Sequence, residues 1–303
     1  MPNPLVELEK TGQSVWYDQM ERKLVSAGTL QRLIDEDDLR GLTSNPTIFD
    51  KAIAGSDDYD AQLRELASRN KSRDEIYDEI TIEDIGNAAD VFLPVYKKTQ
   101  GNDGFCSLEV LPTLASNTQG TAAEAKRLFE RLGRPNVMIK IPATPEGIPA
   151  IEESIAAGVN INITLIFSND VYKKVMEAYL RGLERRVEQG LPIGDIRSVA
   201  SFFVSRIDTL ADKQMEAKAS DPEVAALMGK VAIANAKLAY QEFKRVFGSE
   251  RFHRLRDKGA VAQRPLWAST GTKNPKYSDV LYVESLIGPD TVNTIPPATY
   301  NAF

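Results

Sequence analysis

The nine residues Val159-Asn160-Ile161-Asn162-Ile163-Thr164-Leu165-Ile166-Phe167 sort their side chains by chemistry. Successive side chains of a strand point to opposite sides, so Val159, Ile161, Ile163 and Leu165 fall on one face and Asn160, Asn162 and Thr164 on the other. A central strand of an open parallel sheet is apolar on both faces, because helices cover both. Here only one face is fit to meet a helix. The same division recurs in FCSLEV (105–110), where Cys106, Leu108 and Val110 oppose Ser107 and Glu109. It recurs again in VMIKI (137–141), where Val137, Ile139 and Ile141 oppose Met138 and Lys140. When parallel strands close into a barrel, polar residues near their C-terminal ends point into the mouth of the cylinder.

Working outward, short apolar segments at 14–17, 39–43, 105–110, 137–141, 159–165, 199–204, 265–268 and 291–295 alternate with longer helical patterns. In 168–189, Val171, Val175, Ala178, Tyr179 and Leu183 recur at helical spacing, and 221–247 carries Pro222 at a first-turn position. The stretches 117–132 and 146–156 also read as helices, and 57–98 as a helical insertion between the second and third strands. Eight strands alternating with helices is the pattern of a (β/α)8 barrel. No linker, low-complexity tract or short repeat divides residues 1–303, so one α/β domain with extra helices is expected.

Composition narrows the chemistry. A net charge of −6 argues against a general nucleic-acid surface. No apolar run approaches a membrane span, and nothing near Met1 reads as a signal peptide, so a cytoplasmic location is expected. The one cysteine, Cys106, precludes an intramolecular disulfide and a cysteine-cluster metal site. The one histidine, His253, lies in the charged stretch FHRLRDKG and reads as a surface residue, which leaves Ser-His-Asp catalysis and multi-histidine metal sites without their parts. Acid-base and nucleophilic work therefore falls to carboxylates, lysine, tyrosine or water.

Asp18, Asn45, Glu109, Lys140, Asn162, Ser201 and Ser269 all lie at or near the C-terminal ends of different predicted strands. Taken singly, each reads more readily as an edge residue, a turn residue or a satisfied buried polar group. Their agreement favours a common mouth. An amine enclosed in such a mouth is disfavoured in its charged form, and a neutral amine attacks carbonyls to form an imine, an electron sink for making or breaking a neighbouring carbon-carbon bond. Glu109 and Asp18 are the carboxylates within reach for the proton transfers this requires. Arg206 after SFFVS, and Lys273 in the loop WASTGTKNP with Ser269, suggest an anion site; an arginine facing solvent and a polar turn explain the local sequence equally well.

The segments GLTSNPTIF, SLEV, VMIKIPAT, NINITLIFS, SFFVSRID and WASTGTKNP, in this order, resemble the transaldolases of the pentose phosphate pathway over nearly the whole chain. The resemblance implies that Lys140 forms a Schiff base, that Glu109 and a water it orders shuttle protons, and that Asp18 is the acid-base at the cleaved bond. It also implies that Asn45, Asn162, Thr164 and Ser201 hold the dihydroxyacetone unit or the catalytic water, and that Ser269, Arg206 and Lys273 take the phosphate. The implied reaction moves a three-carbon ketol unit from sedoheptulose 7-phosphate to glyceraldehyde 3-phosphate, with no metal or organic cofactor. The implied partners are these sugar phosphates, with neither nucleic acid nor membrane, for a monomer or homodimer. Fructose 6-phosphate aldolases on the same barrel carry glutamine in place of Glu109 and tyrosine in place of Phe203, so the sequence sides with transfer. A sugar-phosphate-binding barrel without chemistry is the other alternative, and Lys140, Glu109 and Asp18 together weigh against it.

One expectation concerns the end of the chain. After TIPPATYNAF (294–303) the closing helices usual in the resembled family do not follow, which suggests a truncated chain or a piece of a longer enzyme or fusion. It predicts bare apolar surface beside the first and eighth strands.

Overall fold

A computed structural model describes residues 3–303. Eight parallel strands, β1 (Gln13–Tyr17), β2 (Gly41–Thr43), β3 (Phe105–Glu109), β4 (Val137–Pro142), β5 (Ile161–Ile166), β6 (Ser198–Phe203), β7 (Arg264–Ala268) and β8 (Thr291–Ile295), close in chain order. The closing pair runs from Gln13 beside Thr291 to Tyr17 beside Ile295. This is the expected (β/α)8 barrel.

Alternation along the strands builds two apolar bodies. Outward side chains such as Cys106, Leu108, Ile139, Ile161 and Ile163 join the large core under the helices. Inward ones, namely Trp16, Phe105, Met138, Val199, Leu266, Ala268 and Val292, form a separate plug within the strands. Gly41 is what lets Trp16 lie across the lumen, since a Cβ there would stand 2.6 Å from the indole. The lumen is thus filled below the mouth, which is how a barrel of this size buries its interior.

The helices at 169–188, 118–132 and 147–156 match expectation within two residues. The insertion comprises a 3-10 turn, a helix at Asp60–Ser68 and a long helix at Arg73–Lys98 that starts on a capping box of Ser72 and Glu75. Among the described residues, no helix is long and apolar enough to cross a membrane.

Three expectations are corrected. The stretch 221–247 is two helices, Pro222–Ala225 and Val231–Phe247, because Gly229 takes a φ of +71° between them. Leu165 does not continue the outer face of β5. Its φ is +60°, the register with β6 shifts between Ile163 and Ile166, and its side chain is 39% exposed. The predicted bare strip beside β1 and β8 is also missing: Val15, Tyr17 and Ile295 are buried. A short helix, Pro297–Ala302, follows β8 and sets Tyr300 edge-on against Tyr17 at 5.1 Å, while Leu5 and Leu8 of the helix Pro4–Lys10 join the same core.

Candidate active site

The mouth at the C-terminal ends of the strands encloses a cavity of about 550 Å3. Register puts Glu109 beside Lys140, and Lys140 beside Asn162, as inward neighbours on β3, β4 and β5. Lys140 is only 6% exposed. Its Nζ lies 3.3 Å from Glu109 Oε2 and donates to the carbonyl of Ser44 at 2.9 Å. That carbonyl is fixed because Ser44 Oγ donates to Ser107 O at 2.7 Å, while the next residue, Asn45, accepts from Ile48 N–H and caps the helix Pro46–Ala54 with Pro46 in its first turn. The GLTSNP segment is therefore a rigid strand-to-helix corner that presents backbone oxygen to the amine.

Asp18 follows β1, its N–H tied to Ile295 O at 2.9 Å. Thr43 Oγ1 donates to its carboxylate at 2.7 Å and lies 2.6 Å from Thr294 Oγ1. Burial raises the Asp18 carboxyl above the ordinary range, against the pull of Lys140, the Thr43 hydrogen bond, Lys273 and Arg206. A carboxyl with a raised pKa in a mouth that also holds cations is suited to take and return a proton.

The far wall is built from β6 and β7. Ser205 N–H donates to Ser269 O at 3.0 Å and the two hydroxyl oxygens lie 2.9 Å apart, with Ser269 held at a φ of +56°. Arg206 sits over the ring of Phe203 at 5.0 Å, and Phe203 packs on Phe167 at 5.2 Å. Arg206 and Lys273 are exposed and line the cavity with Ser201, Thr164, Phe203 and Ser269. Two cations, one in the first turn of the helix Ser205–Met215 and one in the loop after β7, with the Ser269 hydroxyl lining the same cavity, suit an anionic group.

Of the residues singled out from sequence, Asp18, Asn45, Glu109, Lys140, Thr164, Ser201, Phe203, Arg206, Ser269 and Lys273 line this one cavity. Asn162 lies under it, fully buried, donating to Ser107 Oγ at 3.1 Å and accepting from Ser201 Oγ at 2.7 Å. It supports the floor rather than lining the mouth. Sequence reasoning passed over Thr43, which holds Asp18, Thr294, which meets Thr43, and Gln19, Thr47, Lys51 and Leu165 on the rim. Alternation along GLT and TVNTI was the available signal for the two threonines. A neighbouring hollow of about 580 Å3 is walled mostly by Pro46, Ile53, Leu63, Ile76, Ile80 and Leu111 and holds no lysine. Chemistry, not size, picks the site.

The profile of the family described as Transaldolase/Fructose-6-phosphate aldolase matches residues 15–303. Among similar proteins, the "Transaldolase" of Trichodesmium erythraeum (strain IMS101) is 50% identical over 99% of this chain and 81% of its own length. The "Transaldolase" of Thermobifida fusca (strain YX) is 51% identical over 100% of this chain and 82% of its own length. The "Transaldolase 2" of Streptomyces coelicolor (strain ATCC BAA-471 / A3(2) / M145) is 50% identical, covering 99% and 80% respectively.

Proposed function

The chain belongs to the Transaldolase/Fructose-6-phosphate aldolase family, and from that premise we propose that Lys140 carries a transaldolase reaction through an imine, with Glu109 and Asp18 moving the protons. The enzyme is a transferase, and the observation that carries the residue assignment is the Lys140–Glu109 contact of 3.3 Å inside an otherwise enclosed mouth.

Glu109 takes a proton from Lys140, and the freed amine adds to the ketose carbonyl at C2. A proton returned through Glu109, directly or by way of a water, lets hydroxide leave as water and the protonated imine form. Asp18 removes the C4 hydroxyl proton, the C3–C4 bond breaks, and its electron pair moves to the imine nitrogen as an enamine. The shortened aldehyde departs. A second aldehyde enters, C3 of the enamine attacks its carbonyl, Asp18 returns the proton to the new hydroxyl oxygen, and water releases the product ketose from Lys140. Thr43, itself braced by Thr294, holds Asp18 in line for both transfers. Sedoheptulose 7-phosphate as donor and glyceraldehyde 3-phosphate as acceptor fit a mouth whose far wall carries Arg206, Lys273 and Ser269 for the phosphate. The lysine supplies the electron sink, so this reading calls on no cofactor. Sugar phosphates are its small-molecule partners, and the cytoplasm, where the buried thiol of Cys106 stays reduced, is the proposed location.

Borohydride reduction with fructose 6-phosphate, followed by peptide mass mapping, tests the proposal. An irreversible adduct on Lys140 is expected, and inactivation without an adduct there rejects it. Supplying erythrose 4-phosphate as acceptor then separates transfer from cleavage: sedoheptulose 7-phosphate accumulates in the first case and free dihydroxyacetone in the second.

A further inference from the structure

Arg206 and Lys273 come from different elements, one in the first turn of the helix Ser205–Met215 and the other in the loop between β7 and β8. Something must hold them at a fixed separation. Behind them lies a second cavity of about 330 Å3 lined by Asp208, Asp212, Glu216, Asn274, Tyr277 and Tyr282, with Lys273 on its edge as well as on the edge of the mouth. Asp208 and Asp212 share one face of the helix that bears Arg206, and both are buried.

Each carboxylate is engaged twice. Asp208 accepts from Ala232 N–H at 2.7 Å and from Tyr282 Oη–H at 2.9 Å. Asp212 accepts from Gly229 N–H at 3.0 Å and from Tyr277 Oη–H at 2.7 Å. The left-handed Gly229 that interrupts 221–247 brings its own amide round to Asp212, and a Cβ there would meet the Tyr277 ring at 2.8 Å. Tyr277 also closes the tight turn from Asn274, while Thr272 Oγ1 holds Ser278 O at 2.8 Å, so the segment carrying Lys273 is compact and anchored at Tyr277. Burial and the adjoining carboxylate push the Tyr277 phenol up to about 12 and Tyr282 higher still, so both remain donors. Neither aspartate reaches the mouth.

We propose that Asp208 and Asp212, through Tyr282 and Tyr277, are positioning residues that hold the Lys273 loop at a set distance from Arg206 and so determine how tightly the enzyme grips the phosphoryl end of its sugars. The four-residue clamp also keeps both oxygens of each carboxylate occupied. An unpartnered Asp212 oxygen would draw the Lys273 ammonium backwards into the rear cavity. This proposal rests on the phosphate assignment made above.

Tyr277, partly exposed, is the residue to change, and Tyr277→Phe removes one hydroxyl without altering the ring. The KM for erythrose 4-phosphate is expected to rise about tenfold, the scale of a hydrogen bond to a charged group, with kcat within about twofold. Inhibition by inorganic phosphate weakens by the same factor, and the KM for unphosphorylated glyceraldehyde stays where it was. Tyr282→Phe gives the same split. An equal rise for both aldehydes, or no rise beside a lowered melting temperature, overturns the clamp and leaves these tyrosines as packing alone. Arg206→Ala and Lys273→Ala are the controls. If neither changes phosphate inhibition while the Tyr277 variant is also silent, the phosphate assignment itself falls, and the clamp with it.

Discussion

Both ends of this barrel bury a cation against a carboxylate, and the two pairs are built differently. At the N-terminal end, Arg264 meets Asp103 at 2.8 Å. Asp103 also accepts from Ser14 Oγ and Trp16 Nε1, and Arg264 reaches Ser14 and the carbonyl of Asn102. At the mouth, Lys140 meets Glu109 at 3.3 Å and, among the described residues, has only the Ser44 carbonyl besides. A guanidinium does not give up its proton in a protein, whereas an ammonium does. The difference teaches that burial of charge does not by itself mark chemistry. Under the proposed mechanism, the number of bonds around each ion and the acidity of its cation separate a lock from a working pair.

The strongest way to break that contrast is to make the mouth resemble the base. Lys140→Arg keeps a cation beside Glu109 but removes the transferable proton, and activity is expected to fall on the order of 10^4-fold or more with the fold intact by circular dichroism. Residual turnover within tenfold of the parent would erase the distinction. The reverse probe is Arg264→Met, which strands Asp103 without its counter-ion and is expected to lower stability by about 3–5 kcal/mol in urea melts. At a temperature where the variant is folded, its kcat/KM should match the parent. A catalytic loss comparable to that of Lys140→Arg would mean that the two ends are not independent.

The smallest effect on stability sharpens the comparison through pH. Burial raises the Asp18 carboxyl above its ordinary value of 3.8, so its ionised form is penalised in the folded chain. Below 3.8 the group is protonated in both states and the penalty is absent. As pH rises through the folded pKa, the stability this group lends is lost. Asp18→Asn is therefore expected to abolish turnover yet raise the melting temperature at pH 7 by roughly 1–3 °C, a gain that vanishes near pH 3.5. A melting temperature lowered at pH 7 would show that the Thr43 hydrogen bond and the cations outweigh burial.

The barrel was legible because alternation is a local property: VMIKI and FCSLEV state in five or six letters which side faces the lumen, and register then makes Glu109 and Lys140 neighbours. The mouth followed for the same reason. What could not be read depends on contacts between distant segments. Leu165 adopts a left-handed backbone that no leucine prefers, so only the surrounding structure can impose it. Asn162 lies beneath the cavity instead of in it because Ser107 and Ser201, from two other strands, take its amide. The cover over β1 and β8 comes from Tyr300 and from the helix at Pro4–Lys10, neither of which carries a pattern pointing to its partner. The break at Gly229 similarly answers to Asp212, seventeen positions earlier in the chain, and to Asp208, twenty-four positions before the Ala232 amide that it accepts from.

Trp16 lying across the lumen has a kinetic corollary. With Phe105, Met138, Val199 and Leu266 it stoppers the cylinder, so the reaction chamber has one door. Whatever aldehyde is shed after bond cleavage must leave by the opening through which its successor arrives, and a lingering first product obstructs the second reactant. Such architecture enforces turn-taking, and double-reciprocal plots against donor at several fixed acceptor levels are expected to give parallel lines.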